Sequence, residues 1–171
     1  YTDPNPFKEF HIGHLMSNAI GESISRIIAF HGAEVKRACY QGDVGLHVAK
    51  AVWGMQELAG EIPEDGTLQE KSAFLGKVYA LGASAFEDNK DGRAADDIKK
   101  LNKIIFEHKY PESALGSIYE WGRKVSLEHF ETLYKRLGTK FDFNFFESET
   151  GVFGKKLVEE FLDKGVFEKS D

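Results

Sequence analysis

The chain is poor in cysteine, methionine and proline, and it contains no long hydrophobic run. Cys39 is the single cysteine among 171 residues, so the chain cannot form an internal disulfide. Residues 35–40 around it are largely apolar, which predicts a buried, reduced thiol and a cytoplasmic protein. No apolar stretch approaches the ~20 residues that a membrane helix needs, and no signal peptide is visible.

The chain also lacks an excess of positive charge. It has 22 lysines and arginines against 28 aspartates and glutamates, which gives a formal net charge of −6. This balance excludes a dedicated nucleic-acid binder, so any contact with RNA must be local. A hydrophobic content of 42% and a charged content of 29% are ordinary for a globular domain, and they predict one compact unit with a real core.

Against these absences, one stretch stands out, residues 3–14 with the sequence DPNPFKEFHIGH. Pro4 and Pro6 exclude a helix at its start, because proline fixes φ and restricts the preceding residue. Apolar residues then recur at three- and four-residue spacing, which predicts a helix from about His11 to His31, ended by Gly32. They are Ile12, Met16, Ala19, Ile20, Ile24, Ile27 and Ile28.

This junction between a loop and a helix is suited to binding an anion, since a helix start offers backbone N–H groups and partial positive charge. Gly13 permits close approach of a ligand, His11 and His14 share one face of the first turn, and Lys8 adds a cation. The residues alone leave three possibilities: a nucleotide or phosphate site, a structural cap, or a metal site. A metal would need further ligands, and no cluster with suitable spacing is present.

The next segments predict half of a nucleotide-binding α/β unit. They are a buried parallel strand over residues 34–40, a tight loop over 42–45 and a helix from Leu46 to about Leu58. Because ligands bind at the carboxyl ends of parallel strands, we expect His14 and Asp43 near that edge.

The remainder predicts a mainly helical block followed by an extended segment. After an acidic loop over 61–66, Thr67 and Glu70 form a capping box for a helix to about Glu87. A polar break follows over 87–92, and then two further helices over 96–108 and 112–137. The chain continues with an extended stretch over 141–146, a last helix over 153–162 and the start of a strand over 166–168. Glu147 and Glu149 are interpreted as ordinary loop acids, and His108 and His129 as surface or core residues.

Two ordered motifs resemble one enzyme family. His11-Ile12-Gly13-His14 resembles the HIGH signature of class I aminoacyl-tRNA synthetases. Its flanks, residues 4–10 and 15–21, and the Gly-Asp-x-Gly segment within 40–47 resemble arginyl-tRNA synthetase in particular. The resemblance implies an α/β fold, a partial Rossmann-like class I synthetase nucleotide-binding unit with a mainly helical insertion. Residues 1–60 would form the first half of that unit, 61–140 the connective insertion, and 141–171 the return toward the catalytic core.

The resemblance also implies an activity and a set of site residues. An arginine–tRNA ligase activates L-arginine with ATP and Mg²⁺ to arginyl-adenylate and transfers it to tRNA(Arg), without a permanently bound cofactor or metal ligand in the protein. The implied residues are His11, His14 and Lys8 for catalysis, His11, Gly13 and His14 for ATP, and Asp3, Pro4, Asn5 and His14 for the substrate. Asp3 departs from the small residue usual there. No KMSKS-like string occurs, and Lys8 is thought to compensate when that signature is degenerate.

Two alternatives remain open from the sequence. Another class I synthetase or nucleotidyltransferase would keep the HIGH motif but lose specificity for arginine. Both ends of the chain look cut from a longer protein, so the 171 residues could also be an inactive nucleotide-binding fragment. We therefore expect the chain alone not to charge tRNA, and we expect most tRNA contacts to lie outside it.

Overall fold

The computed structural model describes residues 1–88, 92–110 and 113–169 and shows a mixed α/β chain that is mostly helical. The helices are α1 (Ile12–Phe30), α2 (Leu46–Glu57), a short 3₁₀ helix (Ala59–Glu61), α3 (Leu68–Asp88), α4 (Arg93–Phe106), α5 (Ala114–Leu137) and α6 (Glu147–Asp163). The strands are β1 (Ala38–Gln41) and β2 (Phe143–Phe146). Within the described ranges, no helix has the length and apolar character needed to cross a membrane. Residues 89–91 of the predicted polar break and the predicted helix start at Glu112 lie outside the described residues.

The two strands pair in parallel, which confirms the parallel strand predicted after α1 and shows that the predicted extended stretch over 141–146 is its partner. Ala38 lies opposite Phe143 and Gln41 opposite Phe146, so β1 and β2 are joined in register across about a hundred intervening residues. The predicted strand was too long, since pairing begins only at Ala38. Its predicted burial was wrong on one face, because Cys39 and Gln41 are buried while Ala38 and Tyr40 are exposed. The buried thiol of Cys39 confirms the expectation for that residue.

Helices α2 to α5, which we call the helical block, enclose the main apolar core. Helix α2 packs on α3 so closely that glycine is required at both crossing points. A Cβ at Gly54 would lie 2.2 Å from the carbonyl oxygen of Val78, and one at Gly82 would lie 2.0 Å from that of Lys50. The core is built from buried side chains of all four helices, among them Val48, Val52, Met55, Phe74, Leu75, Val78, Ile98, Leu101, Ile105, Tyr119 and Val125.

Helix boundaries follow local sequence rules at several predicted places. The Thr67–Glu70 capping box is confirmed, because Glu70 Oε2 accepts the backbone N–H of Thr67 and Thr67 Oγ1 accepts that of Glu70. Gly32 and Gly138 follow α1 and α5 with φ of +91° and +67°, values that suit glycine. Helix α4 begins at Arg93 and ends at Phe106, earlier at both ends than predicted.

Helix α1 was predicted correctly, but its apolar stripe faces away from the rest of the chain. Ile12 is 77% exposed and Ile20 51%, whereas the opposite, polar side is buried. On that side Asn18 bonds to Thr2 and Thr139, both at 2.9 Å. Polar contacts, rather than the stripe, therefore hold α1 in place.

Helix α6 corrects two predictions. It begins at Glu147 rather than at Phe153, so Glu147 and Glu149 lie in its first turn and not in a loop. The helix can start early because the side chain of Asp43 accepts hydrogen bonds from Ser148, as described below. The predicted strand over 166–168 is absent from the described residues, since the chain bends there after Gly165, whose φ is +69°.

Candidate functional site

The loop before α1 is fixed by a buried anchor. The Phe7 side chain is fully buried, and its ring lies 5.4 Å from that of Tyr119 in α5. The Phe7 backbone N–H donates to Ser126 Oγ at 2.8 Å. A Cβ at Gly122 would lie only 2.3 Å from the Phe7 ring, so glycine is required there. These contacts clamp the loop onto α5 and set the starting point of α1.

His11 and His14 cap the start of α1 reciprocally. His11 Nδ1 accepts the N–H of Gly13 at 3.2 Å, and His14 Nδ1 accepts the N–H of His11 at 3.3 Å. The two rings stack with centroids 3.7 Å apart. Since each Nδ1 accepts a hydrogen bond, the N–H of each ring is on Nε2. Neither Nε2 atom has a hydrogen-bond partner within the part of the chain that the structure describes.

This geometry changes the sequence-based account of the helix start. The backbone N–H groups of His11 and Gly13 already donate to histidine side chains. Fewer N–H groups at the helix start are therefore left unpaired than the sequence predicts. The capping alternative is therefore present in the structure. It is also compatible with anion binding, because the cap orients two Nε2–H donors at the positive end of α1.

His14 is neutral at physiological pH. Its residue is only 6% exposed, and burial, together with the charges of His11 and Lys8, lowers the pKa of His14 to about 4. The ring therefore acts as a hydrogen-bond donor rather than as an acid. Lys8 lies nearby with its Nζ 5.4 Å from the centroid of the Tyr79 ring, a cation–π contact with α3.

Asn5 lies at the carboxyl end of the sheet. A Cβ at Gly42, just after β1, would be 2.9 Å from Asn5 Nδ2 and 3.3 Å from Glu147 Oε2. Glycine therefore keeps space for two polar side chains that meet there. His47 Nε2 donates to the Gly42 carbonyl oxygen at 2.9 Å, and burial lowers the pKa of His47.

Asp3 and Pro4, the other two residues predicted to line the substrate site, contact other parts of the loop and of β1. Asp3 Oδ1 accepts the backbone N–H of Tyr40 at 2.8 Å, so its carboxylate holds the first residues alongside β1. The Pro4 side chain is fully buried. The structure gives both residues a role in shaping the loop.

Asp43 connects three parts of the fold. Its side chain is fully buried and bonds to Arg123 Nε at 3.1 Å and to the N–H and Oγ of Ser148 at 2.9 and 2.7 Å. Tyr119 donates to the Asp43 carbonyl oxygen at 2.9 Å. Sequence reasoning placed Asp43 at the sheet edge but missed these partners, because they lie 76–105 positions away. The only sequence indication was the Gly-Asp-x-Gly motif itself.

The candidate site thus consists of two groups of residues. Gly13 and the two histidines lie at the start of α1 with Lys8 upstream, and Asn5, Gly42 and Glu147 meet at the carboxyl end of the strands. Among residues 1–88, 92–110 and 113–169, no group of three or more histidine, cysteine or acidic side chains could hold a metal ion.

A parallel strand pair, a loop feeding a helix start, and polar side chains at the carboxyl ends of the strands are features of α/β proteins that bind ligands at that edge of the sheet. A family model described as "tRNA synthetases class I (R), catalytic domain" matches residues 1–105. The chain belongs to this family of class I catalytic domains.

Individual relatives agree with the family. The chain is 31% identical to an arginine–tRNA ligase of Flavobacterium psychrophilum over 99% of its length, and 31% identical to that of Treponema denticola over 100%. It spans only 30% and 28% of these relatives. A crystal structure of arginyl-tRNA synthetase from Plasmodium falciparum has the same fold, with a TM-score of 0.67 at 19% identity, and the match covers 99% of this chain and 27% of that one.

Proposed function

We propose that the chain is the first part of the catalytic domain of an arginine–tRNA ligase. The substrates are L-arginine, ATP carried with Mg²⁺, and tRNA(Arg). Membership of the family and the names of the relatives support this assignment. The observation that carries it is the reciprocal histidine cap, which orients the Nε2–H groups of His11 and His14 at the start of α1.

The first step is activation of arginine. A carboxylate oxygen of arginine attacks the α-phosphorus of ATP, and the bond from that phosphorus to the bridging oxygen of pyrophosphate breaks, so that pyrophosphate leaves with the electron pair. Negative charge grows on the α-phosphate oxygens in the transition state. Neutral imidazoles held in place beforehand can donate hydrogen bonds to these oxygens without any reorganisation. His14, which stays neutral across the physiological range, suits this task.

Neighbouring residues complete the proposed site. Gly13 leaves room for the nucleotide at the helix start, and Lys8 adds positive charge beside the phosphates. Asn5 contacts the substrate arginine, while Asp3 and Pro4 shape the lining of the substrate pocket from positions fixed by β1 and by burial. Mg²⁺ arrives with the triphosphate of ATP.

In the second step the arginyl group passes to a hydroxyl of the terminal adenosine of tRNA, and AMP leaves. The net charge of −6 fits a chain in which most tRNA contacts lie elsewhere in a longer protein. We assign residues 1–60 to the first half of the nucleotide-binding unit, 61–140 to the connective insertion and 141–171 to the return segment. A free, buried Cys39 thiol fits a reducing compartment, and we propose a cytoplasmic location.

The test is arginine-dependent pyrophosphate exchange by the full-length protein. We expect His14→Ala to lower kcat by about 10²–10³ with a small change in the KM for ATP, because one transition-state donor is lost. His14→Asn keeps a donor and should recover part of the rate. His31→Ala, at the exposed far end of the same helix, is the matched control.

Each alternative predicts a different result. Exchange that depends on another amino acid would identify a different class I synthetase, and exchange with none would support an inactive nucleotide-binding protein. Equal rates for wild type and His14→Ala would contradict the catalytic role of the histidine. A fall in melting temperature that accounts for the whole loss of activity would leave His14 only its capping role.

A further inference from the structure

One stretch of helix α5 lies against the segments that meet beside the proposed arginine site. It holds the loop before α1, because Ser126 Oγ accepts the backbone N–H of Phe7 at 2.8 Å. That loop carries Asn5, whose Nδ2 lies 2.9 Å from the Cβ position of Gly42, just after β1. Three residues before Ser126, and so on the same face of α5, Arg123 contacts the ends of the strands. One rigid helix thus holds both the loop and the strand ends.

Arg123 joins the ends of the two strands. Its Nε donates to Asp43 Oδ2 at 3.1 Å, in the loop that follows β1. Its guanidinium carbon lies 4.1 Å from the centroid of the ring of Phe146, the last residue of β2. Because Phe146 lies opposite Gln41, the last residue of β1, both contacts are at the carboxyl edge of the sheet. A planar guanidinium can form a directed hydrogen bond and stack on a ring at the same time, whereas a lysine ammonium has no planar group to stack.

Compensation of a buried charge explains only one of these contacts. The Asp43 side chain is fully buried, and removal of the partner of a buried charge destabilises a protein. Ser148, however, also donates its N–H and its hydroxyl to this carboxylate, at 2.9 and 2.7 Å. The contact of Arg123 with Phe146 does not neutralise Asp43 at all. It favours a role for Arg123 in fixing where the strand ends lie.

The position of the strand ends matters for the proposed reaction. Asn5 is the amide that contacts arginine in that proposal, and it lies beside Gly42, next to Asp43. A displacement of about 1 Å in a site can lower a rate by about 10²-fold, because the reacting atoms must be held in a near-attack geometry.

We propose that Arg123 is a positioning residue for the activation of arginine. It holds the ends of β1 and β2 at a fixed distance from the loop that carries Asn5, and it acts through these segments rather than on the substrate. This inference rests on the proposed function.

The test compares Arg123→Met with Lys124→Met in the full-length protein, by arginine-dependent pyrophosphate exchange. Arg123→Met should raise the KM for arginine by about 10- to 100-fold. It should leave the KM for ATP unchanged, because the histidine cap is held by its own hydrogen bonds. Lys124, the next residue of α5, has a side chain that is 75% exposed, so Lys124→Met is the matched control and should behave as wild type.

Two further variants separate positioning from a loss of stability. Arg123→Lys keeps the positive charge but loses the planar group, so it should lose less stability than Arg123→Met while the KM for arginine still rises. The double variant Asp43→Asn with Arg123→Met removes both charges of the pair, which should restore the free energy of unfolding measured in urea and leave the KM for arginine raised. A purely structural role predicts that activity recovers with stability, since a smaller folded fraction lowers the apparent kcat and changes neither KM.

Several results would overturn the inference. They are a wild-type KM for arginine in Arg123→Met, equal changes in Arg123→Met and Lys124→Met, and a KM for arginine that returns to the wild-type value when the double variant regains stability. If Arg123→Met does not fold, Arg123→Lys and the double variant decide the question by the same measurements.

Binding of arginine, measured by titration calorimetry, separates this inference from the proposed function. A wild-type protein that lacks exchange but binds arginine more tightly than Arg123→Met does would remove the function and keep the positioning role. Normal exchange by the wild type with an unchanged KM for arginine in Arg123→Met would do the reverse. A wild-type protein that neither exchanges nor binds arginine would overturn both.

Discussion

The helical block and the site half, by which we mean α1, the two strands and α6, are built in opposite ways. In the block, Ile98 and Ile105 are fully buried among the apolar residues of α2 to α5. In the site half, isoleucines at the same kind of helical spacing face outward, while polar residues face inward. An apolar stripe therefore specifies a helix in both regions, but it does not by itself specify which side of that helix is buried.

The forces that fix the two regions differ accordingly. Apolar burial dominates in the block, whereas the site half depends on hydrogen-bonded and charged contacts. Glu22 of α1 binds Tyr1, Arg26 and Arg37; burial opposes its charge, but these hydrogen bonds outweigh burial and lower the pKa of Glu22. Directional contacts of this kind give a site its geometry, while the block supplies the stability that supports it.

The largest expected effect is the difference in lost stability when a buried isoleucine and an exposed isoleucine are each replaced with alanine. Ile98→Ala should lower the free energy of unfolding by about 2–5 kcal/mol, because it removes a buried side chain and leaves a cavity. Ile20→Ala in α1, at a position that is 51% exposed, should change it by less than about 0.5 kcal/mol. Urea unfolding of the 171-residue chain measures both. Equal losses would show that the α1 stripe is buried after all.

The next effect concerns pH and the site half. An unfolded His14 binds a proton near pH 6.5, but the folded residue does so only near pH 4. The unfolded state therefore binds more protons in this range, so the free energy of unfolding is highest above pH 6.5 and falls by up to about 3 kcal/mol as the pH decreases to 4.

The matched variant is His14→Asn, which retains an acceptor for the N–H of His11. Its loss of stability between pH 6.5 and 4 should be smaller than that of wild type, measured by urea unfolding at a series of pH values. His47 and His129, whose pKa values are also lowered by burial, remain in both proteins and cancel in the difference. Identical pH profiles would mean that His14 is not buried as a neutral ring.

The smallest expected effect comes from replacing two helical glycines with alanine, which should change the free energy of unfolding in opposite directions. Gly82→Ala should destabilise by about 1–3 kcal/mol, because the new methyl group meets the backbone of α2 at Lys50. Gly154→Ala in α6 meets nothing within 4 Å and should stabilise by roughly 0.5–1 kcal/mol through helix propensity. Thermal unfolding of the two variants gives the comparison. A loss at Gly154 would place a packed surface against α6.

Local sequence features predicted much of this fold. The Thr67–Glu70 box and the glycines after α1 and α5 set helix ends through contacts within a few residues, so the printed sequence contains all the information they need. The two extended segments were also predicted, the first as a parallel strand, but their pairing with each other was not.

Other features depend on partners far along the chain. The outward orientation of the α1 stripe follows from polar contacts to Thr2 and Thr139, which no periodicity reveals. The true start of α6 follows from Asp43, 105 positions before Ser148. Of the candidate site, the histidine pair and Asn5 were predictable from the motif, while the neighbouring carboxylate of Glu147 emerged only from the pairing of β1 with β2.

The Asp43 junction has a consequence for synthesis of the protein. Arg123 is made 80 residues after Asp43 and Ser148 105 residues after it, so the charged group in the loop after β1 lacks its full set of partners until more than a hundred further residues have been made. At typical translation rates this interval is about 5–20 s, far longer than helices need to form. The helical block can thus be complete before the carboxyl edge of the strand pair has formed, because that edge also needs the last residues of β2 and the first turn of α6.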